Sequence, residues 1–346
     1  MYIKHVNVIK TFCLFFVIMM HAVLPFAGPS YFWKLHASQI DQTAVALSSL
    51  FNFTLIPSFL FVSGFLLNMS LGNKNLSFSD TVIKRAKRLL VPWFFTIIFW
   101  LVPLYTFFDI PSFNRPLHAT LLETYKAGLL GLFTDHLWFL LVLFWVTIFW
   151  LIFLPAIKKF GEITGFFLAV AAATIMQIYG SSIIWYCIWE TTSPIIFFYM
   201  GYIAFKYRST IDSFLLRYRI WVLMVLMVFI MILYPHTSSH FSLSWLLSLT
   251  GCILIYTVSL IFSNNFYSFL IKNPLYRYFE ANSFRYYLFH LPPGLLSFIW
   301  LDSITTLPPV PFMALSFSIT LLVTTFVVSA SRILENLWSI VRGGSV

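Results

Sequence analysis

Residues 8–26 read Val8-Ile9-Lys10-Thr11-Phe12-Cys13-Leu14-Phe15-Phe16-Val17-Ile18-Met19-Met20-His21-Ala22-Val23-Leu24-Pro25-Phe26, nineteen residues in which Lys10 and His21 are the only basic side chains. At about 1.5 Å of rise per residue, a helix of this length crosses a hydrocarbon layer about 30 Å thick. Hydrocarbon offers no partner to backbone N–H and C=O groups, so a spanning segment is either a helix or a strand of a closed barrel. An unbroken apolar run does not alternate as a barrel strand of about ten residues must. No small-residue cleavage site follows it, so this first helix is expected to be retained rather than removed as a signal peptide.

The rest of the chain has the same character. Of its 346 residues, 60% are hydrophobic, 20% aromatic and 9% charged, against about 25% charged in soluble domains. Apolar runs place spans near 8–26, 48–68, 89–108, 137–156, 163–180, 183–205, 219–235, 243–262, 284–301 and 310–331. The expected fold is all-α, a polytopic membrane protein of about ten helices. Residues 1–346 are expected to form a single transmembrane domain with no appended soluble domain.

The net charge of +10 could point to nucleic acid, but its distribution points elsewhere. With the N-terminus inside, only Lys34, Arg115 and Lys126 of the 21 Lys and Arg residues fall in outside loops. That asymmetry is the positive-inside pattern of an N-in, C-in protein, so the basic excess belongs to topology and no nucleic-acid partner is expected. Cys13, Cys187 and Cys252 all lie in apolar runs without metal-like spacing and are expected to act as small hydrophobes, with no metal site. The longest outside segment, 109–136, carries His118, Glu123, Asp135 and His136 and is a candidate roof for a site.

Lys10 and His21 stand eleven residues apart, which on a helix puts them on nearly one face, about 16 Å apart along the axis. Ionisable groups inside a membrane helix are costly and mark function by default, and imidazole is the side chain suited to take a proton near neutral pH. The same pair also fits a histidine bonded to a neighbouring helix and a lysine reaching the headgroups. Glu190, at similar depth, fits either a cavity wall or a structural hydrogen-bond hub. The cluster Lys84, Arg85, Lys87 and Arg88 offers cations matched to phosphate oxygens, or a plain topology determinant.

Five fragments in order carry a resemblance. They are Lys10 followed after ten residues by His21; residues 57–67, Pro-Ser-Phe-Leu-Phe-Val-Ser-Gly-Phe-Leu-Leu; the basic Arg85-Ala86-Lys87-Arg88-Leu89-Leu90-Val91-Pro92; His136-Leu137-Trp138-Phe139-Leu140; and Ser283-Phe284-Arg285-Tyr286-Tyr287-Leu288-Phe289-His290-Leu291-Pro292. Together they resemble the membrane acyltransferase family 3, integral-membrane O-acyltransferases of bacterial cell-envelope glycans. Lys10 replaces the more frequent Arg of the first motif, Asn7 stands where many members have Asp, and the Arg-x-x-Arg of the basic segment is intact as Arg85 and Arg88.

The resemblance implies a multi-pass enzyme of the bacterial inner membrane that moves an acyl group, acetyl above all, from acyl-coenzyme A to a hydroxyl of a glycan or lipid-linked saccharide. No cofactor is expected to be permanently bound. His21 is expected as the base, with Lys10 holding or polarising the donor, and Arg85, Arg88, Lys84 and Lys87 as donor-binding cations. Secondary candidates are Ser63, His136, Trp138, Glu190, Arg285 and His290. Direct attack of the acceptor oxygen competes with a covalent route through His21 or Ser63. The rival class is a transporter or flippase of a polysaccharide precursor, to which intramembrane His and Glu would also belong, although no inverted repeat supports it.

Overall fold

A computed structural model describes residues 4–28, 37, 39–72, 77–112, 118–179, 187, 194–234 and 241–341. Every regular element among them is helical, as a backbone without water demands. Helix α1 runs Lys4–Val23 and stops where Pro25 enters the tight turn Leu24–Phe26. Helix α2, Gln42–Gly72, is followed by α3, Phe78–Thr96, which is started by the Ser77 hydroxyl accepting the Asp80 N–H at 3.1 Å. Residues Ile97–Leu101 widen into a π turn and continue as α4, Val102–Phe107, because Pro103 has no N–H to return to the preceding turn. The loop 109–136 holds α5, Leu121–Leu129.

Then follow α6, Trp138–Phe160; α7, Glu162–Tyr179; α8, Pro194–Lys206; α9, Arg208–Arg217; and α10, Arg219–Leu233. The chain closes with α11, Phe241–Asn265; α12, Tyr267–Leu270; α13, Pro274–Phe289; α14, Leu291–Ile304; and α15, Pro309–Val341.

Among the described residues, six helices are long and apolar enough to cross a membrane, or seven if α9 and α10, bent by 88° at Tyr218, count as one span. Of three more expected spans, 163–180 overlaps the shorter apolar helix Glu162–Ile175, the later part of 183–205 overlaps Ile195–Lys206 while most of its first part lies outside the described residues, and the later part of 284–301 overlaps Leu291–Ile304. The expected continuous span 284–301 is instead two pieces meeting at His290. Pro292 and Pro293 lie just beyond, and they remove the N–H groups that would carry α13 straight on.

Helix α2 is the axis of the bundle and packs on α1, α8 and α11. Its crossing with α8 is a close approach of two backbones. A Cβ on Gly64 would run into the Phe198 carbonyl, and one on Gly201 into the Phe61 carbonyl, so only glycine fits at either point. One turn on, the buried Asn68 amide donates to the Gly64 carbonyl at 2.7 Å and its oxygen accepts Trp150 Nε1–H from α6 at 3.2 Å. Helix α3, by contrast, packs chiefly on α6 and more lightly on α13. It faces α1 and α2 across an unfilled space.

In the loop 109–136, Glu123 and His118 have local partners. Glu123 closes a capping box with Thr120, whose hydroxyl and N–H hold the exposed Glu123 carboxyl below the ordinary range, and His118 meets Asp109 at 2.9 Å.

Candidate active site

The space between α1, α2, α3, α6 and α13 is a cavity of about 640 Å³. Lys10, Leu14, Val17 and His21 contribute one stripe of α1, spaced by four, three and four residues as a single helix face requires. Lys10 borders one end and His21 lies three turns away, with apolar wall between them. Arg88 and, from α13, Glu280 are the charges acting on Lys10.

Helix α3 supplies Thr81, Lys84, Arg85 and Arg88, again one face at three- and four-residue spacing. Lys87 is turned about 100° from Arg88 on a helix, and it borders a separate shallow groove with Ile83, Leu90 and Phe94. The four-cation cluster expected from the sequence is therefore three cations on the cavity and one off it. Helix α2 adds Phe59 and Ser63, the latter turned inward because Gly64 beside it is pressed on α8. Trp138 and Phe139 of α6 complete the aromatic wall.

His136 also borders the cavity, and the reason lies in a distant proline. Pro292 offers no N–H to the Leu288 carbonyl four residues earlier, and the freed oxygen accepts His136 Nε2–H at 3.1 Å. Tyr287 returns the contact, its hydroxyl donating to the His136 carbonyl. Asp135 does not serve His136. It sits in the left-handed region at φ 40°, and its carboxylate accepts the hydroxyl of Ser112 at 2.5 Å.

His290, at the break between α13 and α14, is fully buried and does not border the cavity. Its Nδ1–H is shared between the carbonyls of Tyr287 at 2.9 Å and Tyr286 at 3.1 Å. Its ring centroid is 5.2 Å from that of His21 and 4.9 Å from that of His136.

Arg285 is directed elsewhere, to Glu335 of α15 and to the Asn282 side chain at 3.0 Å. Glu190 lies outside the described residues. Cys13, Cys187 and Cys252 are buried and unbridged. No group of three His, Cys, Asp or Glu side chains arranged to hold a metal ion occurs among the described residues.

Sequence reasoning passed over Tyr287, Ser283, Thr81 and Glu280. Tyr287 precedes His290 by one helical turn and could have been found that way, and Thr81 precedes Arg85 by one turn. Glu280 carried no local signal, because its neighbour Lys10 comes from the other end of the chain.

Chemically, the cavity joins an end that attracts phosphate-like anions to an end lined by imidazoles that can accept a proton, through a wall suited to a flexible, weakly polar arm. In a comparison with protein-family models, residues 3–329 match the one described as an acyltransferase domain. No curated protein and no solved structure matches the chain.

Proposed function

The chain belongs to the membrane acyltransferase family 3, and from that premise we propose that it is an O-acyltransferase acting on a cell-envelope glycan or lipid-linked saccharide, with acyl-coenzyme A, most simply acetyl-coenzyme A, as donor. The observation that carries this reading is that Lys10, Lys84, Arg85 and Arg88 border the same cavity as His21 and His136. The donor's phosphates dock on the cations, guanidinium forks being matched to phosphate oxygens. Its pantetheine arm runs along the apolar wall and brings the thioester to His21.

His21, as neutral imidazole, takes the proton of an acceptor hydroxyl while the oxygen attacks the thioester carbonyl carbon. A C–O bond forms, the C–S bond breaks, and the departing thiolate takes the proton from His21. Acyl ester and free coenzyme A are the products. Lys10 holds the donor, and Ser63 and Trp138 line the path without a bond-making part. The protein is proposed to sit in the bacterial inner membrane with ten spans, both ends cytoplasmic and the basic mouth facing the donor pool, in keeping with the charge asymmetry of its loops.

Purified protein in nanodiscs is incubated with [14C]acetyl-coenzyme A and envelope glycans or lipid-linked saccharides. Label on the saccharide, released by mild alkali as an ester, is the expected result. Movement of the saccharide across a vesicle membrane without label would overturn the reading in favour of a carrier.

A further inference from the structure

His21, His136 and His290 come from three distant parts of the chain and meet at one point. A carbonyl oxygen can only accept a hydrogen bond, so a ring nitrogen facing one carries the proton. This fixes two tautomers in the neutral state. His290 is protonated on Nδ1, against Tyr286 and Tyr287, and His136 on Nε2, against Leu288. His290 Nε2 and His136 Nδ1 are then bare lone pairs, each buried and without a hydrogen-bond partner.

The two residues differ in their surroundings. His136 borders the cavity, although its Nδ1 is itself buried. His290 is 0% exposed, and among the described residues the polar rings packed on it are His21, His136 and Tyr287. His136 has its single N–H committed to Leu288, and Tyr287 its hydroxyl committed to the His136 carbonyl. His21 is the third of these described rings. A neutral imidazole carries one N–H and an imidazolium one on each nitrogen, so His21 can present a donor to His290 while its other nitrogen meets the acceptor hydroxyl. Centroids 5.2 Å apart leave room for one N–H···N hydrogen bond.

We propose that His290 is the positioning residue of His21: its Nε2 lone pair receives the N–H of the His21 nitrogen that faces it, so that the opposite nitrogen takes the proton of the acceptor hydroxyl and the imidazolium that forms is held in place. The inference rests on the acyl-transfer reading with His21 as base. It gives His290 the part that aspartate has in a Ser-His-Asp triad, filled by a neutral group whose burial costs less than that of a carboxylate. Proton balance is unaltered, since the hydroxyl proton still passes to His21 and on to the thiolate, while His290 keeps its own proton on Nδ1. Among the described residues, the other titratable groups near the rings are Tyr287 and, on the turn carrying His136, Asp135, whose carboxylate accepts the Ser112 hydroxyl.

His290→Phe removes the acceptor, and His290→Gln replaces it with a side-chain oxygen. In full-length protein of matched melting temperature, His290→Phe is expected to lower kcat for label transfer from [14C]acetyl-coenzyme A roughly a hundredfold, within the range of base catalysis, with KM for the donor unchanged. His290→Gln is expected to recover most of the loss. Wild-type kcat in His290→Phe, or equal inactivity of the two variants, would overturn the proposal.

A second measurement needs no turnover. In full-length protein labelled with 15N-histidine, acidification that protonates His21 is expected to move the His290 Nε2 resonance to that of a hydrogen-bond acceptor and to give a scalar coupling across the two rings. Absence of both refutes the pairing. If the wild type transfers no label, the acyl-transfer reading fails alone and the resonance measurement still decides the pair.

Discussion

An imidazole in a membrane helix is costly to keep unless something uses it, and His21 borders a cavity whose other end is lined by cations. His21→Ala is expected to lower acyl transfer by roughly a hundred- to ten-thousandfold, as loss of a general base does, with the protein still assembled in the membrane. A radiolabel transfer assay beside a membrane-fraction blot checks this, and retained activity would remove His21 from the base role. Arg85 and Arg88 differ from their neighbour Lys87 by the direction in which they leave α3. Replacing either arginine by lysine keeps the charge and loses the planar fork, and is expected to raise KM for the acyl donor by about tenfold with little change in kcat. Lys87→Ala is expected to leave both constants alone. Steady-state kinetics on the three variants distinguishes a phosphate-binding face from a general need for positive charge on α3.

At the scale of elements, two breaks in helical regularity position the site. Pro292 leaves the Leu288 carbonyl for His136, which pins the start of α6 to the end of α13. Pro292→Ala restores an N–H that competes for that oxygen. The change favours the helix and is expected to lower kcat by at least about tenfold, because small displacements of a site residue are expensive, while thermal stability holds or rises. A fall in both would show that the prolines serve packing alone. The second device is the crossing of α2 and α8 at Gly64 and Gly201. Gly201→Ala forces the helices apart and is expected to cost about 1–3 kcal/mol, as overpacking does. A lowered midpoint of thermal unfolding in detergent is the readout. An unchanged midpoint would mean that the crossing can open without loss.

At the scale of the whole molecule, orientation can be tested because the native cysteines are buried and give little background to an impermeant maleimide. A cysteine in place of Lys158, at the end of α6, is expected to react only in inside-out vesicles, and one in place of Lys126, in α5, only from the outer side. The reverse pattern would put the basic mouth away from the proposed cytosolic donor. The helical fold and the shared face of Lys10 and His21 were legible in the sequence, since a solvent without hydrogen bonds permits few backbone forms and helix geometry fixes which residues align. The resemblance in five short fragments carried the family as well. Local spacing could not separate Lys87 from Arg88 in function, turn Arg285 toward Glu335, or detach Asp135 from His136. Nor could it bring His290 between His21 and His136, residues far apart in the chain. Those outcomes depend on where helices cross and which carbonyls lose their partners, and long-range packing alone decides them.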